Sequence, residues 1–146
     1  MKKKVVLITG GFDPIHSGHI AYIQEAKRLG DILIVGVNSD AWLVRKKGKA
    51  FLPFSERATI VSAMSNVDHV IDFDDGDGSA KDAIIRTRRH FPEAQIIFAN
   101  GGDRTKTNIP EMDVNDKDIV FVFGVGGVDK KNSSSWILKK WEEANA

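Results

Sequence analysis

Apolar residues along this chain occur in two alternating patterns, short unbroken runs and helical spacings. Four runs are apolar at nearly every position, which is typical of strands buried on both faces, and a fifth segment is strand-like. These segments are 5–8, 32–37, 69–73, 95–99 and 119–123. Between them, apolar residues recur at intervals of three and four, which predicts helices. The predicted helices cover 17–29, 39–45, 54–66, 80–91 and 133–143.

Buried strands that alternate with helices predict a parallel sheet covered on both faces by right-handed crossovers. We therefore expect an α/β fold, a single Rossmann-like domain with a five-stranded parallel sheet and helices on both faces. The length of 146 residues suits one domain, so we assign 1–146 to it. Ligands of such sheets bind beyond the carboxyl ends of the strands, here the loops after Thr9, Val37, Ala99 and Phe123.

Composition removes several classes of protein. The chain has 21 Lys and Arg against 20 Asp and Glu, which argues against a general nucleic-acid binder. It has no cysteine, so disulfides, thiolate nucleophiles and cysteine-based zinc sites are excluded. The first apolar run is too short for a secretory signal or a membrane span. We expect a cytoplasmic protein without a membrane partner, and we interpret the acidic run at 72–77 as a solvated loop.

The loop after the first strand carries the strongest functional signal. His16 and His19 are three residues apart at the start of the next helix, so both imidazoles lie on one side of its N-terminus. Amide donors and the helix dipole favour anions there. Gly10 and Gly11 allow a close approach of the backbone to a ligand, and Gly18 leaves space between the histidines. These features predict a phosphate site, and two histidines without a third ligand make a poor zinc site.

The segment Gly11-Phe12-Asp13-Pro14-Ile15-His16-Ser17-Gly18-His19 resembles the His-x-Gly-His signature of the cytidylyltransferase-like nucleotidyltransferases. The resemblance implies a HUP-type fold in which His16 and His19 contact the triphosphate and stabilise its transition state. It also implies nucleotide contacts by the other residues of this loop, namely Gly10, Gly11, Phe12, Asp13 and Gly18. The signature is equally similar to nicotinate-mononucleotide and pantetheine-phosphate adenylyltransferases, so it leaves the substrate open.

A second resemblance follows the second strand. Asn38-Ser39-Asp40, with Arg45-Lys46-Lys47-Gly48 after it, resembles the adenylyltransferase domain of the bifunctional ADP-heptose synthase. There a lysine reaches the nucleotide phosphates, and Lys47 takes that position. The glycerol-3-phosphate cytidylyltransferases instead place lysines on Lys46 and Lys49, and both registers remain open. A lysine suits this position because a flexible point charge can follow phosphates as they move.

Two further residues near this loop are assigned to ligands. Asp40 is expected to contact the acceptor. Arg57 lies just inside the next predicted helix, at a distance that both groups of relatives share. Its planar guanidinium could hold a phosphate through two hydrogen bonds.

The loop after the fourth strand resembles the second nucleotide loop of the family. Asn100-Gly101-Gly102-Asp103 implies that the base packs on the glycine backbone. Asn100, Gly102 and Asp103 are therefore assigned to the nucleotide. The next residues carry more positive charge than the family pattern, and we expect Arg104 or Lys106 to hold the phosphate of the acceptor.

The last predicted helix begins with Ser133, Ser134 and Ser135. They resemble the hydroxyl-rich motif that closes the active site of the family, and hydroxyls with amides at a helix N-terminus form an anion site. Two departures precede the motif. Lys130 replaces an acidic residue, and Lys131-Asn132 replaces the usual glycine.

The resemblance implies nucleotidyl transfer from a nucleoside triphosphate to a small phosphorylated acceptor. ATP with a sugar phosphate of the heptose 1-phosphate type is the first hypothesis, and CTP with glycerol 3-phosphate is the second. A nicotinate-mononucleotide-type enzyme and a non-catalytic nucleotide-binding protein are weaker alternatives. No carboxylate cage is visible, so we expect Mg²⁺ to arrive with the nucleotide. A homodimer is possible, with Trp42, Trp136 and Trp141 either at its interface or in the core.

Overall fold

The computed structural model describes residues 2–101, 109–126 and 134–145. The strands are β1 (Lys4–Gly10), β2 (Ile32–Val37), β3 (His69–Ile71), β4 (Gln95–Ala99) and β5 (Ile119–Val122). The helices are α1 (Ser17–Lys27), α2 (Asp40–Lys47), α3 (Phe54–Ser62), α4 (Lys81–His90) and α5 (Ser134–Ala144). Across these described ranges, no helix has the length and apolar character that crossing a membrane requires.

The five strands form one parallel sheet in the order β3-β2-β1-β4-β5, which confirms the predicted fold class. β1 lies at the centre and pairs with β2 on one side and with β4 on the other. The chain therefore adds β2 and β3 on one side of β1, crosses back over the sheet, and then adds β4 and β5 on the other side. The reversal of strand order falls between β1 and β4, and ligands of open α/β sheets bind at such a point, beyond the carboxyl ends.

Both faces of the sheet are buried, which explains why the strand sequences are unbroken apolar runs. Successive side chains of a strand point to opposite faces. Val6 and Ile8 of β1 pack on one face with residues of α1 and α3, whereas Val5 and Leu7 pack on the other face with residues of α4. The predicted helical cover on both faces is therefore confirmed.

Two elements differ from the sequence prediction. The helix predicted to reach residue 66 ends at Ser62, because tight turns replace its last turn: Met64 bonds to the Val61 carbonyl and Val67 to that of Met64. A short 3₁₀ helix at Pro110–Asp113 was not predicted. Its buried Glu111 accepts the Ala80 amide at 2.7 Å and so caps the start of α4.

Arg88 of α4 fixes the amino-terminal end of β4 and β5, away from the predicted ligand edge. Its guanidinium donates to both carboxylate oxygens of Asp116, at 3.0 and 2.8 Å. It also donates to the carbonyls of Phe91, Ala94 and Asp118. The hydrogen bond from Arg88 holds the pKa of Asp116 below its usual value. Arg88 thus fastens the sheet at the end opposite the predicted ligand edge.

Candidate active site

The two histidines of the first loop cap α1 through each other's backbone. His16 is the N-cap residue, and its Nδ1 accepts the Gly18 amide at 3.0 Å. The Nδ1 of His19 accepts the His16 amide at 3.2 Å. Histidine is not among the residues usually preferred at an N-cap. Here the imidazole nitrogens take the place that a hydroxyl or carboxylate oxygen ordinarily fills.

This capping determines the tautomer of both rings. A nitrogen that accepts an amide carries no proton, so in each neutral ring the proton lies on Nε2, which becomes a donor. The rings lie side by side, with centroids 4.0 Å apart, and Phe12 meets the His19 ring edge-on at 5.0 Å. The Nε2–H of His19 is therefore a donor suited to a phosphate oxygen, and it lies beside the ring of His16.

His19 is uncharged at neutral pH. Burial lowers its pKa from 6.5 to about 4, with smaller contributions from nearby His16 and Lys47. Protonation would place a cation in a site with little water and beside another cation. His19 is thus suited to donate a hydrogen bond rather than to attract a phosphate by charge.

The glycines of this loop allow close packing of neighbouring side chains, and the ligand approach that the sequence predicts stays a prediction. A Cβ on Gly18 would lie 2.8 Å from Cε1 of His16, so the imidazole fills the space expected to be empty. A Cβ on Gly10 would meet the Phe12 ring at 3.2 Å, and one on Gly11 would meet Leu43 at 2.9 Å. The glycines therefore allow the site's own side chains to pack closely against the loop backbone.

Phe12 and Asp13, which the sequence assigns to the nucleotide, have side chains that make contacts within the fold, and their assignment stays a prediction. Phe12 is 3% exposed and belongs to the hydrophobic core, where its φ of 51° turns the chain sharply. The Asp13 carboxylate is buried and accepts the amides of Phe51 and Leu52 at 2.6 and 2.7 Å. These hydrogen bonds hold the loop between α2 and α3 against the loop between β1 and α1, residues 11–16, which is called the histidine loop below.

Three lysines near the end of α2 point in different directions. Lys47 donates from Nζ to the Asp13 carbonyl and lies 3.8 Å from the Asp13 carboxylate. Burial lowers the pKa of Lys47, against the opposing effect of Asp13. Lys46 lies over the Trp42 ring, and Lys49 approaches Glu142 at 3.5 Å. Of these three, Lys47 is the one the structure places at the histidine loop.

Arg57 is buried and donates hydrogen bonds within the fold, and its assignment to a phosphate stays a prediction. It is 1% exposed, and its Nε donates to the Leu52 carbonyl at 2.9 Å. One terminal nitrogen donates to the carbonyls of Gly11 and Asn38, both at 2.8 Å. The other donates to the Asp40 carboxylate at 2.6 Å. A single guanidinium therefore joins the loops after β1, after β2 and before α3. Because Asp40 pairs with this guanidinium, it also helps to hold these loops together.

Asp75 is a site residue that the sequence reasoning missed. It was included in an acidic run interpreted as solvated, yet it is 4% exposed. Its carboxylate accepts the backbone amide and hydroxyl of Ser39, at 2.8 and 2.7 Å, and the side-chain amide of Asn38 at 3.1 Å. Burial acts to raise the pKa of Asp75, but the Ser39 and Asn38 hydrogen bonds hold it below its usual value. Asp75 thus fixes the turn that leads into α2.

Asn100 follows β4 and is 2% exposed. Its Nδ2 donates to the Val122 carbonyl at 3.1 Å, which ties the ends of β4 and β5 together, and its Oδ1 has no hydrogen-bond partner in the part of the chain described.

Ser134 and Ser135 begin α5. Five further sequence assignments lie outside the described residues, namely Gly102, Asp103, Arg104, Lys106 and Ser133.

The described carboxylates at this edge do not form a metal site. Asp13 and Asp75 accept hydrogen bonds from amide and hydroxyl donors, and Asp40 is paired with Arg57. Within 2–101, 109–126 and 134–145, no group of three or more His, Cys, Asp or Glu side chains is arranged to hold a metal ion.

The paired imidazole donors, the adjacent lysine and the parallel sheet together define a nucleotide-binding α/β domain of the nucleotidyltransferase type. The comparison with protein families agrees with this class. The model of the family described as Cytidylyltransferase-like matches residues 7–135. The chain therefore belongs to the cytidylyltransferase-like family of nucleotidyltransferases.

Relatives and solved structures extend this finding. The chain is 38% identical to the Bifunctional protein HldE of Syntrophotalea carbinolica, in an alignment that covers 97% of this chain. It is 37% identical to the Bifunctional protein HldE of Geobacter metallireducens, in an alignment that covers 77% of this chain. It spans only 28% and 22% of the length of these two relatives.

Two solved structures have the same fold. A lipopolysaccharide core biosynthesis protein from Thermoplasma volcanium superimposes with a TM-score of 0.63 and 26% identity, covering 83% of this chain and 95% of that one. A putative nicotinate-nucleotide adenylyltransferase from Vibrio parahaemolyticus gives 0.65 and 17%, covering 99% and 89%, which shows the fold alone.

The capping scheme predicts how His19 titrates. The NMR titration midpoint of its imidazole is expected near pH 4, with the proton on Nε2 above that pH. Because its pKa is lower in the folded protein, the free energy of unfolding decreases as the pH falls from 6.5 to about 4. Lys47→Gln removes a nearby positive charge and is expected to raise the midpoint. A midpoint at the ordinary value would contradict the buried, capped geometry.

The structural role of Arg57 predicts a loss of stability on conservative substitution. Arg57→Lys leaves buried carbonyls without donors, so we expect the free energy of unfolding in urea to fall by about 2–4 kcal/mol. Arg86→Lys is the matched control, because Arg86 is partly exposed and pairs with Asp82 on the same helix. If Arg57→Lys kept full stability but lost affinity for nucleotide, Arg57 would be a ligand of the phosphates after all.

Proposed function

We propose that this chain transfers a nucleoside monophosphate from ATP to a sugar phosphate of the heptose 1-phosphate type and releases pyrophosphate. The carrying observation is the pair of imidazoles at the start of α1: the Nδ1 atoms of His16 and His19 accept backbone amides, and the Lys47 ammonium is bonded to the same loop. Support for the acceptor comes from the similarity to the HldE proteins and from the resemblance of the loop after β2 to an ADP-heptose synthase domain.

The proposed reaction requires no covalent intermediate on the protein. An oxygen of the acceptor phosphate attacks the α-phosphorus of the triphosphate in line, and the bond from that phosphorus to the bridging oxygen breaks. Pyrophosphate leaves with the bonding electrons. The nucleophile is already an anion, so no general base is needed. The protein's contribution is to align two anions and to stabilise charge on the transferring and leaving groups.

A neutral His19 suits this task. Its Nε2–H can donate to a phosphate oxygen in a site where burial strengthens hydrogen bonds. Lys47 supplies the positive charge. Its ammonium has three N–H donors, and the Asp13 carbonyl takes one of them, so others remain for phosphate oxygens without loss of the contact that orients the side chain.

Mg²⁺ is part of the proposal only as a companion of the triphosphate. The described carboxylates at this edge are occupied by protein donors, as shown above. The ion would therefore be held by phosphate oxygens, and no protein ligand among the described residues is assigned to it.

A second pair of substrates has a specific basis. The matching family is described as Cytidylyltransferase-like, and Lys46 lies where the glycerol-3-phosphate cytidylyltransferases place a lysine. CTP with glycerol 3-phosphate is therefore the alternative donor and acceptor for the same site.

Pyrophosphate release separates these alternatives. The purified chain is incubated with ATP or CTP, and with heptose 1-phosphate or glycerol 3-phosphate, in all four combinations. We expect the fastest release with ATP and heptose 1-phosphate. Release with CTP and glycerol 3-phosphate alone would favour the alternative, and no release with any pair would contradict nucleotidyl transfer to these acceptors.

The histidine donors predict a large loss of turnover on substitution. His19→Ala is expected to lower kcat by about 10²–10³-fold, as the loss of one transition-state donor typically does. His19→Asn keeps a side-chain oxygen that can accept the His16 amide but removes Nε2–H, so it is expected to lose turnover without losing stability. His90→Ala is the control, because His90 is exposed at the far end of α4. Full activity of His19→Ala would show that the donor is not used.

A further inference from the structure

Trp42 lies next to Gly11 at the start of the loop that carries the two histidines, and the proposed reaction assigns it no role. It is in the first turn of α2, where its backbone amide donates to the Ser39 hydroxyl at 3.1 Å, so the capped turn fixes its position. The edge of its indole is 3.4 Å from the place that a Cβ on Gly11 would occupy. The residue is only half-buried. Part of a large aromatic surface is therefore presented beside the proposed phosphate site.

Lys46 completes an arrangement of ring and cation on α2. Its Nζ lies 4.6 Å from the centroid of the Trp42 ring, one helical turn away, and the side chain is otherwise exposed. A cation over an aromatic face is attracted by the electrons of the ring. An ammonium is thus held beside the indole face rather than free in solvent. Small-molecule sites typically combine aromatic surface with a few placed polar groups of this kind.

The order of the strands indicates which substrate this arrangement would meet. β2 and β4 flank β1 on opposite sides, and the histidines follow β1. Two substrates that react at the histidines must approach from different sides. The glycine-containing end of β4, at Asn100 and Gly101, is the side assigned to the nucleotide. The side of β2, where Trp42 and Lys46 lie, is then left for the acceptor.

We propose that Trp42 and Lys46 form the acceptor subsite and that its ligand is a sugar phosphate. The C–H face of a sugar ring is apolar and packs against the part of the indole that Lys46 does not cover, while the phosphate binds the Lys46 ammonium. Glycerol phosphate has no ring and would gain little from the indole. This inference rests on the proposed function, since it names the binding surface for the acceptor of that reaction.

Fluorescence tests binding without any turnover. The chain has three tryptophans, so replacing Trp136 and Trp141 by Phe leaves Trp42 as the sole tryptophan. Both replaced residues are largely exposed, at 48% and 60%. Heptose 1-phosphate, added with and without a non-hydrolysable ATP analogue, is expected to change the emission of Trp42. Glycerol 3-phosphate at the same concentration is expected to change it much less.

Kinetics in the otherwise unaltered chain provide the second readout. Trp42→Leu is expected to raise the KM for heptose 1-phosphate by about five- to tenfold, the range expected for loss of an aromatic contact. The KM for ATP should stay within about twofold. Trp42→Phe keeps an aromatic face and should restore part of the affinity. Trp141→Leu, a replacement of the same kind on α5, should change neither KM.

The outcomes distinguish this inference from the proposed function. If ATP alone changed the emission, or if Trp42→Leu raised only the KM for ATP, the indole would stack on the base and the inference would be wrong. An unchanged emission with heptose 1-phosphate would overturn it as well. If pyrophosphate were never released but heptose 1-phosphate still changed the emission, the proposed function would fail while the subsite stood.

Discussion

The buried guanidinium of Arg57 is the interaction on which the geometry of the site depends. It joins the carbonyls of Gly11, Asn38 and Leu52, which belong to three different loops. A buried charge is costly unless its hydrogen bonds are satisfied and a counter-charge is near. Four bonds, one of them to Asp40, meet both conditions. Together with the Asp13 carboxylate, this cation therefore holds the loop that carries the histidines against α2 and the segment before α3.

The site therefore has two layers of polar residues with different tasks. Asp13, Arg57 and Asp75 are buried and turn their charged groups toward backbone amides and carbonyls. His16 and His19 present donors at the surface of this framework. Similarity of sequence cannot separate the two layers, because a charged residue in a loop motif suits either task. The hydrogen bonds separate them, since a carboxylate already occupied by two amides has little capacity for a ligand.

Much of the fold was predictable, and the failures share one cause. The unbroken apolar runs at β1 and β2 indicate strands buried on both faces. This pattern depends on local sequence alone, so it can be recognised without knowledge of the tertiary structure. The burial of Asp75 depends on Ser39, far away in the chain, and the four acidic positions of the run at 72–77, Asp75 among them, look alike in sequence. The same holds for Gly18, whose missing side chain admits the His16 ring rather than a ligand. Local patterns predicted the elements and the histidine site, whereas long-range hydrogen bonds decided which charged residues hold it together.

The electrostatics of the proposed reaction follow from this framework. Two phosphate-bearing substrates repel each other as they approach bonding distance, so the site needs positive charge between them. If the histidines were cations, they would add to Lys47 and Arg57 in a small volume and would weaken the folded state. Burial instead keeps His19 neutral, and its Nε2–H still stabilises developing charge. Lys47, partly exposed and anchored on Asp13, then supplies a mobile positive charge at the meeting point of the two anions.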